Sequence, residues 1–319
     1  MRFIRTIQGL SCAGVLAAAT ATLIIPTTAK AAVACNEAAL VAAINAANAA
    51  GGGTVTLATG CTYTLTASHG GGAHGPDGLP LITTPITLSG DGSTITRAGG
   101  LLAPAFRIVE VTSTGALTTK SVTLSNGSTS GLLGLAGGDG GGIYNAGAVT
   151  LTNSTLSGNH AGARGGGIYN GLGAATFTSS TVSGNSVTGL LGVTGGDGGG
   201  IYNDGGTVTF TSGNLSSNRA AGLLDLVGGM GGGMYDNGGT VTVTSSFVKS
   251  NTAHQAAGIV TINGIFTLTS TSVTLNVAVV NPGGIDRSGG TFTSNTSAIT
   301  ANTPTNCIGS PTAVPGCIG

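Results

Sequence analysis

Three charged residues recur at one position of a repeated phrase and are the best candidates for chemistry in this sequence. Asp139, Arg164 and Asp197 each lie four residues before the Ile of a Gly-Gly-Gly-Ile-Tyr segment. If the repeats stack, this Asp-Arg-Asp column can grip a uronic acid sugar or a calcium ion. The alternative, which we favour, is a surface ion-pair ladder of little energetic weight. We therefore predict no catalytic residue, no metal site and no cofactor, and calcium binding is the weaker alternative.

Tyrosines form a second column in the same phrase. The residue after the Ile or Met is a tyrosine in four repeats, and its side chain is expected to point away from the inward Ile. Such a column can stack sugar rings, because aromatic faces offer apolar contact and the hydroxyls offer hydrogen bonds. The rings can equally stack on one another and stiffen the sheet. The first alternative makes a polysaccharide or a cell-surface glycan the expected partner. The tyrosines are Tyr144, Tyr169, Tyr202 and Tyr235.

Two further patterns carry weaker hypotheses. Segment 69–77 contains two His and one Asp, but their spacing matches no metal site, so a flexible loop is expected. Thr-x-Thr pairs follow each repeat phrase and resemble the ice-binding face of some β-solenoids, although threonine suits any solvated strand. Most acidic residues are scattered, whereas an enzyme that cleaves polysaccharides needs clustered carboxylates.

One phrase generates all of these columns. It occurs at 140–145, 165–170, 198–203 and 231–236, and then decays near 257 and 283. We take its Ile or Met as position 0 and allow the coil that begins at Ile143 one residue fewer in its first turn. Positions +7, +9 and +14 are then nearly all apolar, while +8 and +10 are nearly all Thr. This alternation predicts strands with one buried face, and three strands per coil, in a stacked array.

Position +17 is asparagine in every repeat. Strands stack at about 4.8 Å, so buried Asn side chains at a turn can hydrogen-bond up and down the stack. The pattern predicts an asparagine ladder inside an all-β, right-handed parallel β-helix. The ladder residues are Asn159, Asn185, Asn218, Asn251, Asn276 and Asn302.

Longer repeats carry extensions before the Gly-Gly-Gly segment. Each extension contains a Leu-Leu pair, at 132–133, 190–191 and 223–224. The pairs form either an exposed apolar ridge or, as we favour, a cover that folds over the coil.

The chain is expected to have four parts. Residues 1–31 read as a secretory signal peptide, with basic residues, an apolar run and an Ala-x-Ala cleavage pattern. Residues 32–104 form a helical cap, with Asn36 as the N-cap, and the first irregular coils. Residues 105–302 form the regular repeats, and residues 303–319 form a C-terminal cap.

Four cysteines remain after the signal peptide, two near each end of the chain. An even number in an exported protein favours disulfides, and the spacing favours pairing within each end. The predicted pairs are Cys35 with Cys61 and Cys307 with Cys317.

Composition narrows the partners. Lys+Arg and Asp+Glu number ten each, so the net charge is zero, and only 6% of the 319 residues are charged. Without a basic face, nucleic acid and an anionic membrane are not expected partners. No integral membrane segment is expected after signal removal.

The repeats resemble a known family. Gly-Gly-Gly-Ile followed by Leu156-Ser-Gly-Asn159 or Val182-Ser-Gly-Asn185 is similar to the paired GGAI and FxxN repeats of polymorphic outer-membrane proteins. The opening segment resembles pectin-lyase-like β-helices. The resemblance implies a secreted, surface- or matrix-associated binding protein with an adhesin-like role, and carbohydrate is the expected ligand. The main alternative is a polysaccharide lyase or glycoside hydrolase of the pectin-lyase-like class, and ice binding is a minor alternative.

Overall fold

A computed structural model describes residues 31–100, 102–130, 137–189, 196–220 and 228–318 of the chain. Almost all of the predicted signal peptide, and the three predicted Leu-Leu pairs, lie outside these residues. From Ala32 onward the chain forms one unit, which is built from one helix and stacked parallel strands. The predicted all-β parallel β-helix is confirmed.

The helix forms where the sequence predicts it. Helix α1 spans Glu37–Ala49, and the side chain of Asn36 accepts a hydrogen bond from the Ala39 backbone N–H at 2.9 Å. This bond satisfies one of the free donors of the first turn. Leu40 and Ile44 are completely buried and belong to the same core as the first strands. The helix therefore covers the end of the core.

The strands before the regular repeats are irregular in length. Their bounds are β1 (Gly53–Thr56), β2 (Thr62–Leu65), β3 (Gly70–Gly72), β4 (Gly75–Asp77), β5 (Pro85–Arg97), β6 (Val109–Val111) and β7 (Ala116–Ser125). Strands β3 and β4 form a small antiparallel hairpin, so the expectation of a flexible loop over 69–77 was wrong.

Each regular coil contributes four strands, and the last contributes three. The coils are β8 (Ile143–Asn145), β9 (Ala148–Thr152), β10 (Thr155–Ser157) and β11 (His160–Ala161); β12 (Ile168–Gly171), β13 (Ala174–Thr178), β14 (Thr181–Ser183) and β15 (Ser186–Val187); β16 (Ile201–Asp204), β17 (Thr207–Thr211), β18 (Asn214–Ser216) and β19 (Arg219–Ala220); β20 (Met234–Asn237), β21 (Thr240–Thr244), β22 (Phe247–Lys249) and β23 (Thr252–Gln255); β24 (Ile259–Ile262), β25 (Ile265–Thr269), β26 (Ser272–Thr274) and β27 (Val277–Val280); and β28 (Ile285–Ser288), β29 (Thr291–Asn295) and β30 (Ala298–Thr300).

Equivalent strands pair in register from coil to coil. The first strands of the coils form a seven-stranded sheet from β6 to β28, which we call the tyrosine sheet. The second and third strands form two arms of a 16-stranded sheet, because the long strands β5 and β7 run through both arms. We call the arm that contains β9, β13, β17, β21, β25 and β29 the threonine arm, and the arm that contains β10, β14, β18, β22, β26 and β30 the second arm.

A fourth stack corrects the prediction of three strands per coil. Strands β11, β15, β19, β23 and β27 form a five-stranded parallel sheet directly after the asparagine position. The sequence signal there is short, because only one residue per strand points inward. Those inward residues are small and buried, for example Ala161, Val187 and Ala220.

The core is a set of stacked apolar columns. Ile143, Ile168, Ile201, Met234 and Ile259 occupy position 0 and are fully buried. The apolar residues at +7, +9 and +14 join them in one continuous cluster that runs from the helix to the last coil. The apolar columns of the sequence thus pack as a single core along the stack.

The Gly-Gly-Gly segment is dictated by backbone geometry. Its first glycine adopts a left-handed conformation, with φ of +65° at Gly165. At its third position, a Cβ on Gly167 would lie 2.6 Å from the carbonyl oxygen of Gly200 and 3.1 Å from the side chain of Asn185. A side chain would therefore separate adjacent coils, which explains why the phrase repeats.

Both ends of the stack are closed by disulfides. Cys35 is bonded to Cys61 and Cys307 to Cys317, as the spacing predicts. In the part of the chain that the structure describes, no helix is long and apolar enough to cross a membrane.

Candidate functional site

The asparagine column at +17 is buried and continuous. Each side-chain amide donates to the side-chain oxygen of the next coil, at 3.0 Å from Asn159 to Asn185 and 3.0 Å from Asn185 to Asn218. The same oxygens accept the backbone N–H of the previous Asn, so each buried amide has several partners. The ladder runs through Asn251 and Asn276 to Asn302 and is structural rather than reactive.

The four tyrosines lie on the outer face of the tyrosine sheet and stack on one another. Ring centroids are 5.1 Å apart between Tyr144 and Tyr169, and 5.6 and 4.9 Å apart along the next two steps to Tyr202 and Tyr235. Tyr169 and Tyr202 are only 6% exposed. The ring faces contact neighbouring rings, as the self-stacking alternative describes, so they are not free platforms for sugars.

The predicted Asp-Arg-Asp column is divided. Arg164 binds Asp139 through two hydrogen bonds, with Nε to Oδ1 at 3.0 Å and NH2 to Oδ2 at 2.8 Å. Its guanidinium also lies 4.8 Å from the centre of the Tyr169 ring and 3.6 Å from the carboxylate of Asp204. Asp197 instead accepts a hydrogen bond from the Met230 backbone N–H at 2.9 Å. Arg164 therefore pairs with Asp139 and rests against the tyrosine column.

Burial raises the pKa of Asp197 and of Tyr169. Burial raises the pKa of Asp197 to about 6, and the nearby charge of Arg164 offsets only part of that rise. Burial and the hydrogen bond to Asp204 raise the pKa of Tyr169. Among the described residues, no group of three or more His, Cys, Asp or Glu side chains is arranged to hold a metal ion.

A buried ionic cluster that sequence reasoning missed closes one end of the tyrosine column. Arg107 is completely buried and bonds Asp77 at 2.7 Å and Glu110 at 3.4 Å. Glu110 also contacts the Nδ1 atom of His74 at 2.9 Å, and the His74 ring stacks on Tyr144 at 3.9 Å. Burial raises the pKa of Asp77 to about 6 in spite of Arg107.

Only one local feature could have revealed this cluster. Arg107 follows Phe106 and precedes Ile108 and Val109, all of them buried, and an Arg in an apolar run needs a buried anion. Glu110 lies only three residues after Arg107, but Asp77 and His74 come from the region of the β3–β4 hairpin, which the sequence does not link to Arg107.

A shallow groove of about 460 Å³ lies beside Tyr144 and Tyr169. Asp204 lies on its floor, where Oδ2 accepts a hydrogen bond from the Tyr169 hydroxyl at 2.6 Å and Oδ1 accepts one from Asn237 at 2.9 Å. Leu172 lines the groove and is 83% exposed. The groove thus joins an apolar side chain, phenol edges, a carboxylate and an amide, a combination suited to a small polar ligand.

The backbone of Leu172 is strained. Its φ is +59°, in the left-handed region that costs an L-residue free energy. The equivalent positions of other coils are filled by Gly205, Gly238 and Gly289, which adopt the same φ region without that cost, and by Asn263, whose φ is +53°. Leu172 is therefore a bulky, exposed side chain at a position that glycine fills in three other coils, and it lies against Gly205 and beside the groove.

Sequence comparison adds no relative to this picture. The fold defines a parallel β-solenoid with a decorated outer face. No family model, no curated protein and no solved structure matches the chain.

Proposed function

We propose that this protein is an extracellular, surface- or matrix-associated binding protein that holds a neutral carbohydrate in the groove beside the tyrosine column. The observation that carries the proposal is Leu172, a strained and exposed apolar side chain beside the carboxylate of Asp204. Sugar rings present apolar C–H faces and outward hydroxyls. The first suit Leu172 and the phenol edges, and the second suit Asp204 and Asn237.

The electrostatics support a neutral rather than an acidic sugar. Asp204 is the anion that faces the groove, and Arg164 lies 3.6 Å from it and neutralises part of its charge. The Arg164 guanidinium also donates two hydrogen bonds to Asp139, so little positive charge remains to attract a uronate. Sugar hydroxyls can donate to the Asp204 oxygens without a charge partner.

Export is supported by the terminal residues and the cysteines. The predicted signal over residues 1–31 directs a chain to an oxidising compartment, where Cys35–Cys61 and Cys307–Cys317 stay bonded. The repeats, which resemble those of polymorphic outer-membrane proteins on a right-handed pectin-lyase-like helix, support an adhesin-like role.

Binding of residues 32–319 to a panel of immobilised plant, fungal and bacterial polysaccharides tests the proposal. We expect wild-type protein to bind a neutral member and Leu172→Gly to bind it about tenfold more weakly, the size of one lost apolar contact. Leu275→Gly is a matched control, since Leu275 is also exposed and has a φ of +57° but lies outside the groove. Equal binding by Leu172→Gly and wild type would refute the proposal that the carbohydrate binds in the groove.

Cleavage of a bound polysaccharide is the second candidate function. It is favoured by Asp197, whose pKa of about 6 would let it donate a proton, while Asp139 stays paired with Arg164. New reducing ends or unsaturated products in the same panel, lost in Asp197→Asn, would support it. Binding without products would exclude it for those polysaccharides.

A further inference from the structure

We propose that the outer face of the threonine arm is an ice-binding surface, separate from the groove. One column of this face consists only of threonine, through nine consecutive strands paired in register. Every member is half-buried or exposed. The members are Thr54, Thr87, Thr118, Thr150, Thr176, Thr209, Thr242, Thr267 and Thr293.

A second column of threonines runs beside the first, and we call the two columns ranks. Two residues further along each strand, five coils in succession carry threonine, and side chains two apart on a strand share a face. Together the two ranks, which we call the threonine face, form a two-dimensional array. The second rank contains Thr152, Thr178, Thr211, Thr244 and Thr269.

The array presents its hydroxyls to water. In the part of the chain that the structure describes, no hydroxyl of either rank forms a hydrogen bond to protein, whereas Ser154 and Ser180 at the adjacent corner are both bonded. Water molecules must therefore satisfy these hydroxyls. The strands set the spacing of the threonine hydroxyls, which is about 4.8 Å along the stack and about 7 Å between the ranks. Water held at such a fixed repeat, between exposed methyl groups, is partly ordered before it meets a crystal.

The near absence of charge on the threonine face indicates which kind of surface it can bind. Lys120 is the one charged residue in register with either rank among the described strands. A mineral surface or a charged polymer would need a field that this face does not have. A crystalline polysaccharide would need exposed aromatic rings, and the nearest candidate, Phe247, belongs to the second arm. Ice matches a neutral array of hydroxyl and methyl groups.

Two internal ladders hold the array rigid. On one side, the side chains of Asn145, Asn170 and Asn203 link successive coils at 2.6 and 2.7 Å. On the other side, the Ser154 backbone N–H donates to Ser180 Oγ at 3.1 Å. Because both flanks of each strand are fixed to the next coil, the threonines cannot shift in register, and little ordering is lost on binding a lattice.

The test compares ice binding by residues 32–319 and two double variants. Wild-type protein is expected to partition into a growing ice hemisphere, to produce thermal hysteresis and to inhibit recrystallisation. Thr176→Tyr/Thr209→Tyr should abolish all three, because each ring lifts the ice away from the face. Thr155→Tyr/Thr181→Tyr is the matched control, since these threonines are also half-buried and neighbouring but lie on the second arm. Circular dichroism and thermal unfolding verify that both variants fold.

Three results would overturn the proposal. Wild-type protein excluded from ice and without hysteresis refutes it directly. Equal loss in the control variant moves the binding away from the threonine face. Adsorption to crystalline cellulose or chitin but not to ice, lost in Thr176→Tyr/Thr209→Tyr, assigns the face to a polysaccharide instead. Neither double variant changes a residue of the groove, so glycan binding by these variants tests the proposed function independently of ice binding.

Discussion

Asn185 donates its side-chain amide to the side-chain oxygen of Asn218 at 3.0 Å, and the same oxygen accepts the Asn185 backbone N–H at 3.0 Å. Asn218 in turn donates to the carbonyl of Val182 and to Asn251. Each asparagine therefore serves its own coil and both neighbours. This makes the ladder the most tightly coupled part of the structure outside the apolar core.

Asn218→Ala should be strongly destabilising. The change leaves the backbone N–H and one side-chain N–H of Asn185 buried without their acceptor, at about 1–3 kcal/mol each, and removes the amide that donates to the Val182 carbonyl. We expect the free energy of unfolding in urea to fall by about 3 kcal/mol or more. Asn295→Ala is the control, because Asn295 is exposed at the end of β29. This substitution should change the free energy of unfolding by less than about 0.5 kcal/mol. Similar losses in the two variants would contradict a structural ladder.

Gly167→Ala should also destabilise the stack. Its new methyl group would lie 2.6 Å from the Gly200 carbonyl oxygen, a backbone atom that cannot move without displacing the next coil. Overpacking of this kind costs about 1–3 kcal/mol. Gly99→Ala is the control, because a Cβ there meets nothing within 4 Å. A melting temperature unchanged in Gly167→Ala would show that the coils tolerate greater separation.

The repeat columns made most of the fold predictable from sequence. Period-two alternation identified the inward residues, and the asparagine column predicted the ladder. The short fourth strand of each coil was missed, because strands such as His160–Ala161 are too brief to show a period. A second ladder was also missed, although its residues stand in the repeated phrase. This ladder runs through Asn145, Asn170 and Asn203 to Asp236, which is fully buried and accepts a hydrogen bond from Asn203 at 2.8 Å.

The candidate site was less predictable than the fold. The tyrosine column was visible, but its burial depends on Arg164 and on apolar residues of later coils such as Val260. The strain at Leu172 could have been suspected from the glycines at equivalent positions. The run around Arg107 indicated a buried anion, but Asp77 and His74 could not have been identified as members of the cluster, because they come from irregular segments with no repeat to align them.

Stability should depend on pH through Asp197. Its pKa is about 6 in the folded protein and near 4 when unfolded, so between these values the folded state binds more protons. Stability contributed by the protonated form is therefore present at about pH 4 and is lost as the pH rises through about 6. Asp197→Asn should be more stable than wild type at about pH 8 and equal to it at about pH 4. Asp77, with a pKa of about 6, adds a change of the same sign in both proteins.

Urea unfolding at the two pH values measures this difference. Asp91→Asn is the matched control, because Asp91 is exposed in the irregular middle of β5, so the variant should be as stable as wild type at both pH values. If the stability of Asp197→Asn differs from that of wild type by the same amount at both pH values, the Asp197 carboxylate stays ionised in the folded protein.

The tyrosine column should make the protein sensitive to alkali. Burial raises the pKa of Tyr144, Tyr169, Tyr202 and Tyr235, so the folded state keeps phenol protons that the unfolded state releases. Stability should therefore fall as the pH rises above about 10. Tyr169→Phe removes one such proton and the bond to Asp204, so its stability should fall less steeply between about pH 9 and pH 11. Ultraviolet titration beside circular dichroism provides the measurement: tyrosinate absorbance from these rings should rise together with the loss of the β-sheet signal, whereas full ionisation in an intact sheet would mean that the rings are open to solvent.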